Sequence, residues 1–455
     1  MDIYLGYIII LAVEPFCERR DQKVAATGAS QSGSLRSSWQ FKLACVWGGE
    51  LVSVLTSSIL QMGFIWHIAL STNSAAMLSL ASLAGFLPLA LFGTFAGTVV
   101  DRHPLKRVLI GADLFIAAVS AVVALVSAVT PLPVWVVICA LFFRAVGSAF
   151  YTPASLALTP HVAPPEHLVR LSGVTQGVQS GGYILGTAVA AAIYPLWGLT
   201  PMIALDVLGA LVASAAVLVA RIDVGDLREE GALGASEGFI GGLRALFRES
   251  LDGLRVLRGF SGLYALLWCG FAFSLVFSPI AALFPLMTLG HFGGTTTDAA
   301  MVEIAFSVGM VAGSALLAAT GGFKNRSISI VAATALLGLA TLVSGLLAPG
   351  GFAVFIVMSF LMGLSSPFYS GPQTALMQEK VPPEYLGRVF GLYGAIMSWA
   401  MPVGLVASTL LADSVGVPLW FAGSGLLMVV LAAVTWLIPS VREVGRPLVQ
   451  DDPGR

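Results

Sequence analysis

From Phe41 to about residue 440 the chain repeats one pattern: a long apolar run, a short polar interruption, then another apolar run. A helix needs about 20 apolar residues to cross the hydrocarbon core of a bilayer, and runs of that length recur throughout. The alternation over ~10-residue segments that marks a membrane β-barrel is missing. The runs predict twelve spanning helices, at about 43–66, 75–100, 108–129, 134–156, 168–194, 202–220, 260–289, 299–320, 328–347, 352–377, 386–411 and 417–439. The expected fold class is an all-α polytopic membrane protein.

Composition agrees. Of 455 residues, 57% are hydrophobic and only 10% are charged, against about 25% charged in soluble domains. Orientation follows from Lys and Arg, because cytoplasmic loops retain positive charge. With both termini placed on the cytoplasmic side, 22 of the 23 Lys and Arg residues fall in cytoplasmic segments or at their edges, and Arg144 alone lies mid-helix. The expected location is the plasma membrane of the cell, multi-pass, with both ends cytoplasmic. The four cysteines, Cys17, Cys45, Cys139 and Cys269, are far apart and form no CxxC pair, so neither a metal site nor a disulfide framework is indicated. No P-loop sequence occurs for ATP. No cofactor, nucleic-acid partner or enzymatic activity is expected.

Residues 221–258 break the apolar text with six arginines and seven acids. They divide the chain into an N-terminal extension (1–40), one six-helix half (41–220), a linker (221–258), a second half (259–440) and a tail (441–455). The stretch 3–13, IYLGYIIILAV, is too short to span and lacks the basic flank of a secretory signal. The halves repeat. YTPASLALTPHVAPPEHLVRLSG (151–173) aligns without a gap with YSGPQTALMQEKVPPEYLGRVFG (369–391), at an offset of 218, and Gly186 falls on Gly404. Six helices separate the copies, an even number, so the halves are parallel repeats about an axis along the membrane normal.

One cytoplasmic turn concentrates charge. After 29 uncharged residues (72–100), GTVVDRHPLKRVLI (97–110) brings Asp101, Arg102, His103, Lys106 and Arg107 together behind Gly97. This turn resembles the signature loop G-x-x-x-D-[RK]-x-G-x-[RK]-[RK] of the major facilitator superfamily, with Pro104 in place of the second glycine. The PPEHLVR and PPEYLGR loops, the YTPA sequence and the IWHI sequence resemble the macrolide-efflux and enterobactin-exporter branch, the third drug:proton antiporter family. That resemblance covers about residues 41–440. It implies that Gly97, Asp101, Arg102, Lys106 and Arg107 form a conformational gate, Gly97 giving close approach to a neighbour and Asp101 latching against the start of the eleventh helix. The second half's version, TGGFKNRS (320–327), keeps Lys324 and Arg326 but lacks the acid. The antiporter element G-P-x-x-G-G is incomplete: Gly177, Gly181, Gly182 and Gly186 are present, but Thr187 stands where the proline would follow. Gly173, Gly177 and Gly181 are expected to let helices pack closely.

An ionisable residue inside the bilayer is a functional hypothesis, because each costs roughly 2.5–3.5 kcal/mol on insertion scales. The candidates are Glu50, Asp113, Arg144, Asp206 and Glu303. Glu50 recurs with Ser53, Ser57 and Gln61 on one stripe of the first helix, and the resemblance implies that the first, fourth, seventh and tenth helices line a cavity. A carboxylate out of water favours its neutral form, so Glu50 is a candidate proton carrier, with Arg144 as its expected ion-pair partner and Glu303 as a second proton site. Hydrogen bonding between helices without transport is the plain alternative for each. Asp113 and Asp206 fall on helices that the resemblance makes peripheral.

Tyr151, Trp268, Phe271, Met358, Met362 and Tyr369 are the remaining cavity candidates. Aromatic and methionine surfaces suit bulky, partly apolar ligands, although such faces also serve packing. The expected function is a monomeric secondary exporter of hydrophobic or amphiphilic small molecules, such as drugs or macrolides, driven by protons across the lipid bilayer. The substrate site implied by the resemblance lies between the halves. Two alternatives stay open: a dedicated exporter of an endogenous metabolite such as a siderophore, and a non-transporting sensor or assembly protein on a transporter scaffold.

Overall fold

The computed structural model of the protein describes residues 39–162, 168–220, 254–320, 322–323 and 325–445. The extension before residue 39 and most of the linker fall outside those residues. Among the described residues twelve long α-helices follow one another: α1 Trp39–Thr72, α2 Ala75–Arg102, α3 Leu105–Val129, α4 Val134–Val162, α5 Leu168–Trp197, α6 Thr200–Val219, α7 Ser261–Leu286, α8 Thr296–Thr320, α9 Arg326–Leu346, α10 Phe352–Lys380, α11 Pro383–Val415 and α12 Val417–Leu437, with a short α13, Pro439–Val444. Each corresponds to one predicted span, and there is no strand among the described residues. Eleven of the helical stretches are long and apolar enough to cross a membrane; the exception is α5, whose first half carries Ser172, Thr175, Gln176, Gln179 and Ser180.

Helix ends follow local chemistry. α1 runs on past its predicted end at residue 66, because nothing interrupts it until Asn73, which adopts a left-handed φ of 47° of the kind that closes helices. A left-handed Gly198, at φ 68°, separates α5 from α6. α7 loosens at its end into a single π turn, Met287–His291, where His291 Nε2 meets the Leu347 carbonyl at 2.8 Å.

The described residues pack as two compact units, those up to Phe64 with those of 91–220, and those of 65–90 with those of 254–445. In the first, α3 packs on α4 and α6, and Leu105 and Leu109 meet Ala154 and Leu158 of α4, Val46 of α1 and Val100 of α2. In the second, α9 packs on α10 and α12, α8 on α10, and α7 on α11. Its core joins Leu263, Leu266 and Leu267 of α7 to Leu376 and Met377 of α10 and Val389 and Leu392 of α11. The start of α2 belongs to this unit: Asp413 of α11 accepts from Ser74 Oγ at 2.7 Å and from the Ala76 backbone N–H at 3.1 Å. Buried Ser79 and Ser408 share a hydrogen bond of 2.7 Å.

The repeat extends to packing. A Cβ on Gly186 would stand 2.7 Å from the Leu55 carbonyl oxygen of α1, and one on Gly404 would meet the Leu275 carbonyl oxygen of α7. Two glycines at the repeat offset therefore perform one task, bringing α5 onto α1 and α11 onto α7. The expected close contacts at Gly177 and Gly181 are not found, since a Cβ at either meets no heavy atom within 4 Å; Gly182, against Val54, and Gly186 take that role. Gly97 likewise has no such neighbour, so the close approach expected of it is absent among the described residues.

Candidate functional site

The first unit places three acids and one arginine in its interior: Glu50 on α1, Asp113 on α3, Arg144 on α4 and Asp206 on α6, none more than 8% exposed. Charges cannot stay there without partners, and Arg144 has one. Its Nη2 donates to Asp206 Oδ1 at 3.0 Å and its Nη1 to Asp206 Oδ2. Ser120 of α3 donates to Asp206 Oδ2 at 2.6 Å and accepts from Arg144 Nη1 at 2.5 Å. Ser57 of α1 donates to Asp206 Oδ1 at 2.9 Å. The fork-on-carboxylate geometry is the strong form of the pair. Arg144 therefore answers Asp206, not Glu50, and the expected Glu50–Arg144 ion pair is corrected. The reason is direction: Asp206 receives both nitrogens of the guanidinium fork, and Ser57 and Ser120 close the network.

Glu50 keeps different company. Its Oε1 accepts from Gln179 Nε2 of α5 at 2.7 Å and from Ser155 Oγ of α4 at 3.1 Å. Its Oε2 is buried and has no hydrogen-bond partner, and the residue is 2% exposed. Asp113, also 2% exposed, carries a second such orphan at Oδ2 and lies within electrostatic range of Glu50 and Asp206. Among the described residues, no three His, Cys, Asp or Glu side chains converge where a metal ion could be held.

The second unit repeats this architecture without its charges. At the offset that aligns Tyr151 with Tyr369, Ser155 aligns with Gln373, Gln179 with Met397 and Arg144 with Met362. Gly270 of α7 faces the same set: a Cβ there would stand 2.6 Å from the Tyr369 hydroxyl, 3.0 Å from Met397 Cε and 3.3 Å from Gln373 Nε2. A glycine thus occupies on α7 the place that Glu50 holds on α1. Met362, at Arg144's position, is fully buried, with its sulfur 3.8 Å from Thr341 Oγ1 of α9. It packs helices and presents no surface to a ligand.

The other expected residues are placed as follows. Ser53, Ser57 and Tyr151 are half-buried and Gln61 is exposed. Trp268 is 44% exposed, between Tyr264 and Phe271 in an edge-to-face series with centroids 6.3 and 6.0 Å apart. Met358 is half-buried, and the Tyr369 ring lies 4.8 Å from Phe273. Glu303 is half-buried on α8. In the signature turn, Lys106 is half-buried and Arg107 exposed, while the side chains of Asp101 and Arg102 lie outside the described residues. In the second half's turn, Arg326 pairs with Glu379 at the end of α10 at 2.9 Å. Sequence reasoning missed Ser120 and Gln179, since a lone Ser or Gln in an apolar helix carries no mark of what it faces. Asp206 was visible as an intramembrane acid, but nothing in the text matched it to Arg144.

The Major Facilitator Superfamily profile matches residues 46–326 and 266–453. Macrolide efflux protein A of Streptococcus pyogenes is 46% identical over 409 residues, covering 90% of this chain and 98% of that protein. Multidrug efflux pump Tap of Mycolicibacterium fortuitum is 26% identical over 401 residues, covering 85% and 93%. A crystal structure of a POT family transporter in complex with thioalcohol conjugated peptide superposes with a TM-score of 0.63 at 12% identity, covering 87% of this chain and 95% of that one; it shares the fold.

Proposed function

Because the chain belongs to the Major Facilitator Superfamily, in its macrolide-efflux branch, we propose that it exports hydrophobic and amphiphilic molecules of the macrolide class by proton antiport. The observation that carries this reading is Glu50: a carboxyl group buried on α1, held by Ser155 and Gln179 through one oxygen and unpartnered at the other. Arg144 is already neutralised by Asp206, so it does not hold Glu50 as a permanent anion. A proton on Oε2 removes the cost of a buried unpaired charge, and its release into water regenerates the carboxylate. Glu50 can thus be loaded from one side and discharged to the other as the transporter changes access.

The exposed Trp268 and the neighbouring Phe271 support a bulky, partly apolar substrate, as does the similarity to macrolide and multidrug efflux proteins. In this reading Asp101 and its neighbours in the turn gate the conformational cycle. The test is macrolide efflux from everted membrane vesicles, with and without an imposed pH gradient. Native protein should transport faster with the gradient and Glu50→Gln should lose that dependence. Gradient-independent efflux, unchanged by the substitution, would refute the coupling.

A further inference from the structure

Glu50 is not the only buried acid left without a counter-charge. Asp113 on α3 is 2% exposed, and its Oδ2 has no hydrogen-bond partner. The titratable and charged groups facing it from packed elements, among the described residues, are Glu50 from α1, Tyr151 from α4 and Asp206 from α6, the last held by Arg144. Counted along the side where α1 and α3 begin, Glu50 and Asp113 lie roughly 16 and 12 Å into their helices at ~1.5 Å rise per residue.

The charge balance of this interior is one-sided. Three carboxyl groups share the interior with one guanidinium, and that guanidinium is bonded to Asp206 and Ser120. If Glu50 and Asp113 were both ionised, two like charges would share a low-dielectric site with no cation, an arrangement that drives at least one of them to bind a proton. Among the described residues, no three His, Cys, Asp or Glu side chains converge there. The second unit offers the contrast: Met362 stands at Arg144's repeat position, and Gly270 of α7 faces Gln373 and Met397, the residues aligned with Glu50's partners Ser155 and Gln179.

We propose that Asp113 is a second proton-binding carboxyl of this site, titrating as a coupled pair with Glu50, while Asp206 is held by Arg144. The step is simple: each carboxylate forms one O–H bond with a proton taken from water and breaks it on release. Groups coupled in this way titrate as a pair, not as independent residues. The assignment rests on reading Glu50 as the proton carrier, and adds a second acid to it.

The test is an infrared pH titration of the carbonyl band of protonated carboxyls, made on the purified full chain in lipid with no substrate and no gradient. Native protein is compared with protein whose aspartate side chains carry heavy carbon, and with Asp113→Asn, Glu50→Gln and the double variant. Heavy-carbon aspartate should move roughly half of the band, and each single substitution should remove roughly half and change the pH at which the remainder titrates. The double variant should lose the part of the band that persists above about pH 4, the ordinary carboxylate range in which the chain's other acids take up protons. A band that ignores the aspartate label would overturn the proposal, even if Asp113→Asn does not fold. So would a band abolished by exchanging potassium for sodium, which would mean a cation occupies the pair. Because no transport is measured, failure of gradient-driven efflux would sink the antiport reading and leave this result standing.

Discussion

Arg144 on α4 and Asp206 on α6 close a two-pronged ion pair inside the first unit, Nη2 on Oδ1 at 3.0 Å and Nη1 on Oδ2. The consequence falls on a third residue. With the arginine committed to Asp206, Glu50 is left with Gln179 and Ser155 as its hydrogen-bond partners.

Arg144→Ala should leave Asp206 as an uncompensated buried charge and cost about 3–5 kcal/mol of stability. Replacing the whole pair, Arg144→Met with Asp206→Leu, should recover most of it; a methionine, Met362, stands at Arg144's repeat position in the second half. Thermal unfolding of the purified variants measures both. Equal losses in the single and double variants would mean that the pair is not an energetic unit.

Gln179→Leu should remove a hydrogen bond to the Glu50 carboxyl, worth about 1.5–3 kcal/mol when the acceptor is charged. The informative readout is the pH profile of efflux, which should move, while Gln179→Glu should disturb it more by adding a like charge. A profile identical to the native one would make the bond merely structural.

Gly186→Ala and Gly404→Ala should each destabilise by about 1–3 kcal/mol, because the added methyl meets backbone atoms that must move. Gly177→Ala serves as the control: its Cβ would enter open space, and alanine is the better helix former by up to ~1 kcal/mol. Chemical unfolding midpoints decide the matter. A similar penalty at all three positions would contradict the contacts.

α2 begins in the second unit and ends in the first, so bonds at its start are natural points of control. In a background without the native cysteines, Ser79→Cys with Ser408→Cys should form a disulfide on oxidation, since the serine oxygens are 2.7 Å apart. Efflux should stop on cross-linking and return with reductant. Full transport in the cross-linked protein would show that this contact persists through the cycle.

Asp101→Asn should slow efflux while leaving ligand affinity intact. Direct binding measured beside transport checks this, and a pure loss of affinity would reassign the residue to the substrate site.

Much of the fold was legible because bilayer physics writes it into one dimension. Apolar run length marked the twelve helices, and the PPE segments and the Gly186–Gly404 correspondence exposed the repeat. Glu50 was legible for a related reason: an acid in an apolar helix stands out. What it touches was not, because α1, α4, α5 and α6 meet only after folding, and the separations from Glu50 to Ser155 and Gln179 (105 and 129 residues) carry no local signal.

By itself, then, the sequence determined that this chain lives in a membrane, how many helices it forms, that its halves are copies and which buried groups can ionise. Tertiary structure alone decided the pairings: Arg144 with Asp206, Glu50 with Gln179 and Ser155, Gly270 against Tyr369 and Met397. The physical reason is that hydrophobicity is a property of each residue and its neighbours in sequence. A hydrogen bond between helices depends on rotation about each helix axis, and that is set only when the helices pack against one another.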